Sequence, residues 1–139
     1  MAQDSCIFCR IASGEISTTC IFEDDSSIAF LDAGPLAEGH VLLIPKAHAS
    51  TVDQMSADQA GAVLRNLPAL ARAVQDVTGC EGVNILQNNG SVAHQTVMHV
   101  HFHIIPRKTG DSFNFNWPAG EYSPSRAEEL AKLLRDKMA

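Results

Sequence analysis

Histidine occupies every second position in the run His99-Val100-His101-Phe102-His103-Ile104-Ile105. A strand sends alternate side chains to the same face, so three imidazoles line one surface, and Val100, Phe102 and Ile104 are left to fill the core behind it. A single histidine on such a strand is most often a polar position of a half-buried sheet, but strict alternation of three is a stronger signal. One metal ion fits all three poorly, because at about 3.3 Å of rise per residue the outer Cα atoms lie roughly 13 Å apart. An ordered row of neutral imidazoles instead suits proton transfer, hydrogen bonding to phosphate oxygens and nucleophilic attack. The pair Cys6-x-x-Cys9 is a weaker signal, which alone fits a redox pair or two buried thiols equally well.

Short apolar or alternating runs that could carry these groups occur at Thr19–Glu23, Ser27–Leu31, Val41–Ile44, Val83–Gln87 and Val100–Ile105, each bounded by Gly, Pro, Asp or Asn. These predict five strands. Between the third and fourth, Val63, Leu64, Leu67, Leu70, Ala71, Val74 and Val77 recur at helical spacing, opened by the capping-box pattern Ser56-Ala57-Asp58-Gln59 and closed by Gly79. One long amphipathic helix is expected, bent or broken at Pro68, which lacks a backbone donor. A second capping box, Ser125-Arg126-Ala127-Glu128, predicts a C-terminal helix with Leu130, Leu133 and Leu134 facing inward, and Cys6–Ile11 predicts a short first helix. The loop from Lys108 to Ser123, rich in Gly, Asn, Pro and Ser, is the segment expected to be most mobile. Strands grouped around one main helix argue for an α+β fold with a mostly antiparallel sheet, because a doubly wound fold needs a helix between most strands.

With 139 residues and 45% hydrophobic content, the chain has enough for one sizeable core, and residues 1–139 are expected to form one domain. Ten Lys+Arg against sixteen Asp+Glu give a formal charge of -6. That balance argues against a broad polyanion-binding surface, so no nucleic-acid partner is expected and any phosphate must be held locally. The start Met1-Ala2-Gln3-Asp4-Ser5 has no basic or apolar signal, and apolar runs are only a few residues long, so neither an export signal nor a membrane span is expected. Cys6, Cys9, Cys20 and Cys80 are too few and too unevenly placed for a disulfide scaffold, which points to a reducing cytoplasmic or nuclear setting.

Beyond its alternation, Gln95-Thr96-Val97-Met98-His99-Val100-His101-Phe102-His103-Ile104-Ile105 resembles the signature of the histidine triad (HIT) superfamily. Cys6–Ile11 with Gly14-Glu15-Ile16, then Phe30-Leu31-Asp32, Gly39–His48 and Asn84–Gly90 resemble further family blocks in the same order. The likeness covers about residues 5–107, leaving 108–139 as a C-terminal extension. Trp117-Pro118-Ala119 in that extension resembles the Hint-like branch, with its fungal members and bacterial relatives carrying an N-terminal CxxC.

The resemblance implies the HIT fold: a five-stranded, mostly antiparallel sheet, one long helix, and short N-terminal and C-terminal helices. It implies His101 as nucleophile at the α-phosphorus of a nucleotide, with the His99 backbone carbonyl holding its ring N–H. His103 and His40 would contact phosphate oxygens, backbone amides near Thr96 and Val97 would add donors, and Thr96 would help protonate a departing amine. Asn88 and Gln95 fit polar contacts to phosphate or leaving group, Asp32 fits the ribose hydroxyls, and Phe8, Ile11 and Ile16 fit the wall behind the base. Cys6, Cys9, His48 and His99 match a family zinc set, structural because Cys2His2 leaves no open position; no organic cofactor is implied. Cys20 and Cys80 read as plain interior residues. Family members pair through the long helix and a strand edge, which implies a homodimer with the segment around Trp117 near the partner's active site. The activity implied is hydrolysis of a purine nucleoside phosphoramidate such as adenosine 5'-monophosphoramidate, through a covalent nucleotidyl-histidine. Two alternatives stand beside it: a dinucleoside polyphosphate hydrolase of the Fhit kind, which Gln95-Thr96-Val97 and Pro106-Arg107 also resemble, and a nucleotide-binding regulatory or interaction module. Two positions depart from the pattern: His94 stands where most members have Gly, and Leu31 replaces a histidine frequent beside the ribose-binding Asp.

Overall fold

The computed structural model describes residues 3–139. Its elements run α1 (Ile7–Ala12), β1 (Cys20–Glu23), β2 (Ser27–Leu31), β3 (Val41–Pro45), α2 (Ala57–Leu64), α3 (Leu67–Thr78), β4 (Gly82–Gln87), β5 (Phe102–Arg107) and α4 (Pro124–Met138). The strands form one sheet in the order β1-β2-β3-β5-β4, with every pairing antiparallel. This is the expected α+β architecture, and most strand boundaries move by a residue at most.

Both faces of the central strands are buried. Ala29, Val41 and Leu43 pack with Val100, Phe102 and Ile104 beneath Val63 of α2 and Leu70 and Val74 of α3. On the opposite face Ile28, Phe30, Leu42 and Ile44 pack against Phe8 and Ile11 of α1. Burial on two faces explains why β2 and β3 read as continuous apolar runs rather than as alternation. The strand register also lays out one row across the sheet, in which Phe30 pairs with Leu42, Leu42 with His103, and His103 with Leu86.

The expected long helix is two. α2 opens with the full capping box, Ser56 Oγ accepting from the Gln59 amide and Gln59 Oε1 from the Ser56 amide. It ends at Arg65, and α3 restarts with Pro68 in its first turn, where a missing N–H costs nothing. At the break Asn66 donates to Asp24 Oδ2 at 2.9 Å and to Ser27 Oγ at 3.1 Å, tying the helical layer to the β1–β2 turn. Gly79 stops α3 in the left-handed conformation, as expected.

Four expectations are corrected. β5 begins at Phe102 rather than Val100, because the groups ahead of it leave the ladder: the Val100 amide donates to Ala49 O, and His99 O accepts from the His101 ring. The cap of α4 lies two residues before the expected one, with Ser123 Oγ accepting from the Arg126 amide and Pro124 in the first turn, a stronger start than Ser125 offers. Leu133 and Leu134 are exposed rather than inward, while Leu130 is half-buried. Cys20 is exposed and Cys80 only half-buried, so neither is a plain core residue. The stretch from Lys108 to Ser123 carries no helix or strand, yet its first part is tied down: Arg107 binds Asp111 through two bonds at 2.7 Å and also donates to Asn84 Oδ1 and Phe113 O, and Thr109 bonds Glu81. Among the described residues, no helix is long and apolar enough to cross a membrane.

Candidate active site

The loops around the Phe30–Leu42–His103 row leave a cavity of about 370 Å³, with Phe8, Ile11, Ile16, Phe30 and Leu42 on its apolar side and Asp32, Thr96, His101 and His103 supplying polar groups. An apolar slot with a few convergent polar groups is the general form of a small-molecule site. α1 contributes Phe8, whose ring meets His101 edge-on with centroids 5.2 Å apart and Phe30 at 5.8 Å. Val97 closes the rim beside Thr96.

His101 is 4% exposed, and its Nδ1 lies 2.8 Å from the backbone carbonyl of His99. A carbonyl only accepts, so the neutral ring carries its proton on Nδ1, and the Nε2 lone pair is left without a protein partner among the described residues. His103 stands beside it, ring centroids 4.9 Å apart. Burial, reinforced by the neighbouring His101 and His40, pushes its pKa down to about 4, so it is neutral near pH 7. Asp32 Oδ1 accepts from the Gly34 amide at 2.8 Å, a turn role that coexists with a place in the cavity wall.

Three expected site residues lie outside this wall. His40 is 2% exposed and sits behind His103, its Nε2 2.9 Å from His103 Nδ1 and 3.5 Å from Asp32 Oδ2. Gln95 is buried and held by three hydrogen bonds: Nε2 donates to Ser50 O at 2.6 Å and Val97 O at 3.0 Å, and Oε1 accepts from the Gly90 amide at 2.7 Å. It braces the loop that presents Thr96 and Val97. Asn88 donates to His94 O at 3.4 Å and does not line the cavity. His94 itself is exposed and has φ 69° and ψ 22°, a left-handed conformation that glycine adopts more readily. Phe30 and Leu42 line the cavity without having been singled out from the sequence, because their apolar runs gave no hint of which face would meet a ligand.

A second cluster lies at the other end of the histidine run. Ligand atoms of Cys6, Cys9, His48 and His99 all fall within 4.8 Å of one another. His99 Nδ1 is 3.5 Å from both sulfurs and 3.2 Å from His48 Nδ1, while its Nε2 donates to Pro45 O at 2.8 Å. That carbonyl fixes the tautomer which turns the Nδ1 lone pair toward the cluster, the outer support a metal-binding imidazole requires. The four residues can hold a metal ion, and Phe8 packs edge-on against His99 between this cluster and the cavity.

The family model described as "HIT domain" matches residues 13–110. The chain is 39% identical over 135 residues to adenosine 5'-monophosphoramidase hnt1 of Schizosaccharomyces pombe, covering 96% of this chain and 98% of that one. It is also 39% identical over 132 residues to adenylylsulfatase HINT3 of Arabidopsis thaliana, covering 95% of this chain and 67% of the relative. The crystal structure of a member of the HIT family of proteins from Bacillus subtilis superposes with a TM-score of 0.93 at 36% identity, over 98% of this chain and 99% of that one. A Zn-bound histidine triad family protein from Mycobacterium smegmatis superposes with a TM-score of 0.74 at 35% identity, over 95% and 91%.

Proposed function

The chain belongs to the HIT domain family and is a nucleotide hydrolase of that family, and we propose that its reaction is the hydrolysis of a purine nucleoside phosphoramidate, adenosine 5'-monophosphoramidate above all, through a nucleotidyl-His101 intermediate. The observation that carries this reading is the His99 carbonyl on His101 Nδ1, which leaves a buried, unprotonated Nε2 facing the cavity. Nε2 attacks the α-phosphorus; the N–P bond to the ring forms as the P–N bond to the amine breaks, and the amine leaves with a proton delivered near Thr96. Water then attacks the same phosphorus, the ring N–P bond breaks, and the nucleoside monophosphate departs. His103 donates to the phosphoryl oxygens as charge grows on them. Asp32 Oδ2 takes the ribose hydroxyls, and Phe8, Ile11 and Ile16 give the base an apolar wall. The relative named adenylylsulfatase supports testing a sulfate leaving group beside the amine.

Zinc suits the Cys2His2 set by ligand type, and the zinc-bound relative supports it. Held by Cys6, Cys9, His48 and His99, it would have no open position, so it would brace α1 against the histidine run rather than supply chemistry. A homodimer is part of the proposal. The β4 edge carries Ile85 at 44% exposure, and α4 leaves Leu133 and Leu134 in solvent, surfaces a second copy would cover. Light scattering at micromolar concentration should return twice the chain mass, and a monomer would remove this part of the proposal. A cytoplasmic or nuclear location follows from the same reading, with no nucleic-acid or membrane partner.

The test of the chemistry is turnover on adenosine 5'-monophosphoramidate, adenylyl sulfate and diadenosine polyphosphates. The first is expected to be the best substrate. His101→Ala should remove nearly all turnover while retaining AMP binding, since His103, Asp32 and the apolar wall remain. Two in-line displacements retain configuration at a chiral phosphorothioate; inversion, or substantial turnover by His101→Ala, means that water attacks directly.

A further inference from the structure

When no metal holds them, the two sulfurs of the Cys6, Cys9, His48 and His99 cluster are neighbours in one helical turn. Cys6 is the N-cap of α1, with φ -84° and ψ 117°, and Cys9 lies three residues on. Residues at that spacing have Cβ atoms about 5–6 Å apart, whereas a disulfide asks for roughly 3.5–4.5 Å. A small turn of the cap residue, whose extended backbone lies outside the helical ladder, covers the difference. The sulfurs themselves already lie within 4.8 Å of each other. The Cys9 amide donates to Cys6 Sγ at 3.4 Å, which keeps the first sulfur over the end of the helix that carries the second.

The two residues differ in access. Cys9 is 3% exposed, with His48 Nδ1 and His99 Nδ1 at 3.3 and 3.5 Å from its sulfur, while Cys6 is half-buried beside the exposed residues 3–5. A reachable cysteine with a second one close behind it is the arrangement of a redox-sensing thiol and its resolving partner. We propose that Cys6 and Cys9 are such a pair, converted to a disulfide by a hydroperoxide. Cys20 and Cys80 stand outside the cluster, so the pair closes on itself. The Cys6 sulfur attacks one peroxide oxygen; the S–O bond forms as the O–O bond breaks, and the departing oxygen leaves as water. The Cys9 sulfur then attacks Cys6 Sγ; the S–S bond forms as the S–O bond breaks, and the second oxygen leaves as water. Two thiols give up two electrons and two protons, the peroxide takes the electrons, and the protons end in the two waters.

A disulfide sulfur has no thiolate charge to offer a metal, so the oxidised chain keeps only His48 and His99 of the four ligands. Metal binding and the disulfide exclude one another. The effect reaches the cavity by two routes. Phe8, between the two cysteines on α1, packs edge-on against both His99 and His101, and His99 carries the carbonyl that accepts from His101 Nδ1. A disulfide that closes so short a loop restrains the unfolded chain less than a long one would, so it does not replace the brace that a metal gives across α1, His48 and His99. In a reducing setting such a bond is transient, and a dithiol reductant restores the ligand set. The link to turnover rests on the hydrolase reading above; the sulfur chemistry does not.

Hydrogen peroxide applied to the full-length, metal-free Cys20→Ser/Cys80→Ser protein isolates the pair. After alkylation of free thiols, peptide mass mapping should find Cys6 and Cys9 linked, lighter by two hydrogens, and dithiothreitol should reverse the change. The oxidised protein should take up at least about tenfold less zinc than the reduced one and recover that uptake on reduction. In Cys9→Ser, dimedone should trap a Cys6 sulfenic acid at least about tenfold faster than it traps Cys9 in Cys6→Ser. Two alkylatable sulfurs after peroxide, a sulfinic acid without a disulfide, or a disulfide with undiminished zinc uptake would each overturn the proposal, and equal trapping rates would overturn the order of attack. AMP should bind the oxidised form more weakly; an unchanged affinity, with unchanged amide shifts at Phe8 and His101, would overturn the link to the cavity. A chain that forms the disulfide reversibly and turns over no nucleotide would sink the hydrolase reading and leave the redox pair standing.

Discussion

His99 is engaged through three separate groups. Its Nε2 donates to Pro45 O, its Nδ1 faces Cys6, Cys9 and His48, and its backbone carbonyl accepts from His101. The cluster that can hold a metal and the proposed nucleophile are therefore held by one residue, and loosening its ring loosens the carbonyl that sets the His101 tautomer. Metal removal is expected to act at both ends. Chelated protein, or Cys9→Ser, should lose zinc by elemental analysis, melt several degrees lower, and lose part of kcat while keeping more than His101→Ala does. Equal melting and equal turnover with and without the metal would show that the cluster does not brace the site. At this scale the sequence spoke clearly where chemistry is local: the i, i+2 histidines and the Cys-x-x-Cys pair were visible as spacing. The family resemblance named His40 and Gln95, but their surroundings were not visible: His40 meets the Leu36 amide and the His103 ring, Gln95 meets Ser50 O, Val97 O and the Gly90 amide, and nothing in a residue's type says which partner the fold will bring to it.

The elements that present these residues depend on a few backbone positions. Gly39, immediately before His40, has φ 94°, and a Cβ there would come within 2.5 Å of Thr78 Cγ2 at the end of α3. Thr78 cannot readily swing away, since its hydroxyl donates to Val74 O at 2.7 Å and accepts from the Cys80 amide at 3.2 Å. Gly39→Ala should therefore cost about 2 kcal/mol or more in urea denaturation, from the left-handed backbone and the overpacking together. It should also lower kcat by moving His40; a stability loss below about 0.5 kcal/mol would mean that α3 gives way easily. The element-level pattern was legible where one signal dominated. Ser56–Gln59, Pro68 and Gly79 marked the start, break and stop of the helical segment. Two caps in close succession were harder to separate: Ser123 with Pro124 overrides the box written at Ser125, and the apolar side of α4 is only half-covered at Leu130 and left in solvent at Leu133 and Leu134. The start of β5 was misplaced for a related reason, since strand patterning records side-chain alternation while the ladder ends where backbone groups find other partners.

Across the whole molecule, the buried neutral histidines and the hydrogen-bonded carboxylates give stability different pH limits. Burial would raise the pKa of Asp24, but hydrogen bonds from Asn66, from the Ser26 and Ser27 amides and from the Ser27 hydroxyl overcome it and hold the group at about 2. A carboxylate depressed in the folded state contributes stability above its ordinary value of 3.8 and loses it as pH falls toward 2. His103 titrates in a higher window. Its folded value of about 4 lies below the ordinary 6.5, so between these limits the unfolded chain binds the proton that the folded one refuses, and stability present above 6.5 drains away as pH falls toward 4. His40, depressed by burial, adds in the same direction. Urea midpoints should therefore fall between neutral pH and about pH 4.5, before carboxylate protonation dominates. In His103→Gln that decline should be shallower, because the mutant has no proton to refuse at this position, although Asp24 and Asn66 still tie the β1–β2 turn to the helical layer. A decline equally steep in the variant and the wild type would place the acid sensitivity elsewhere. A shallower one would show that the neutral ring proposed to donate to phosphate also makes the fold less stable in mild acid.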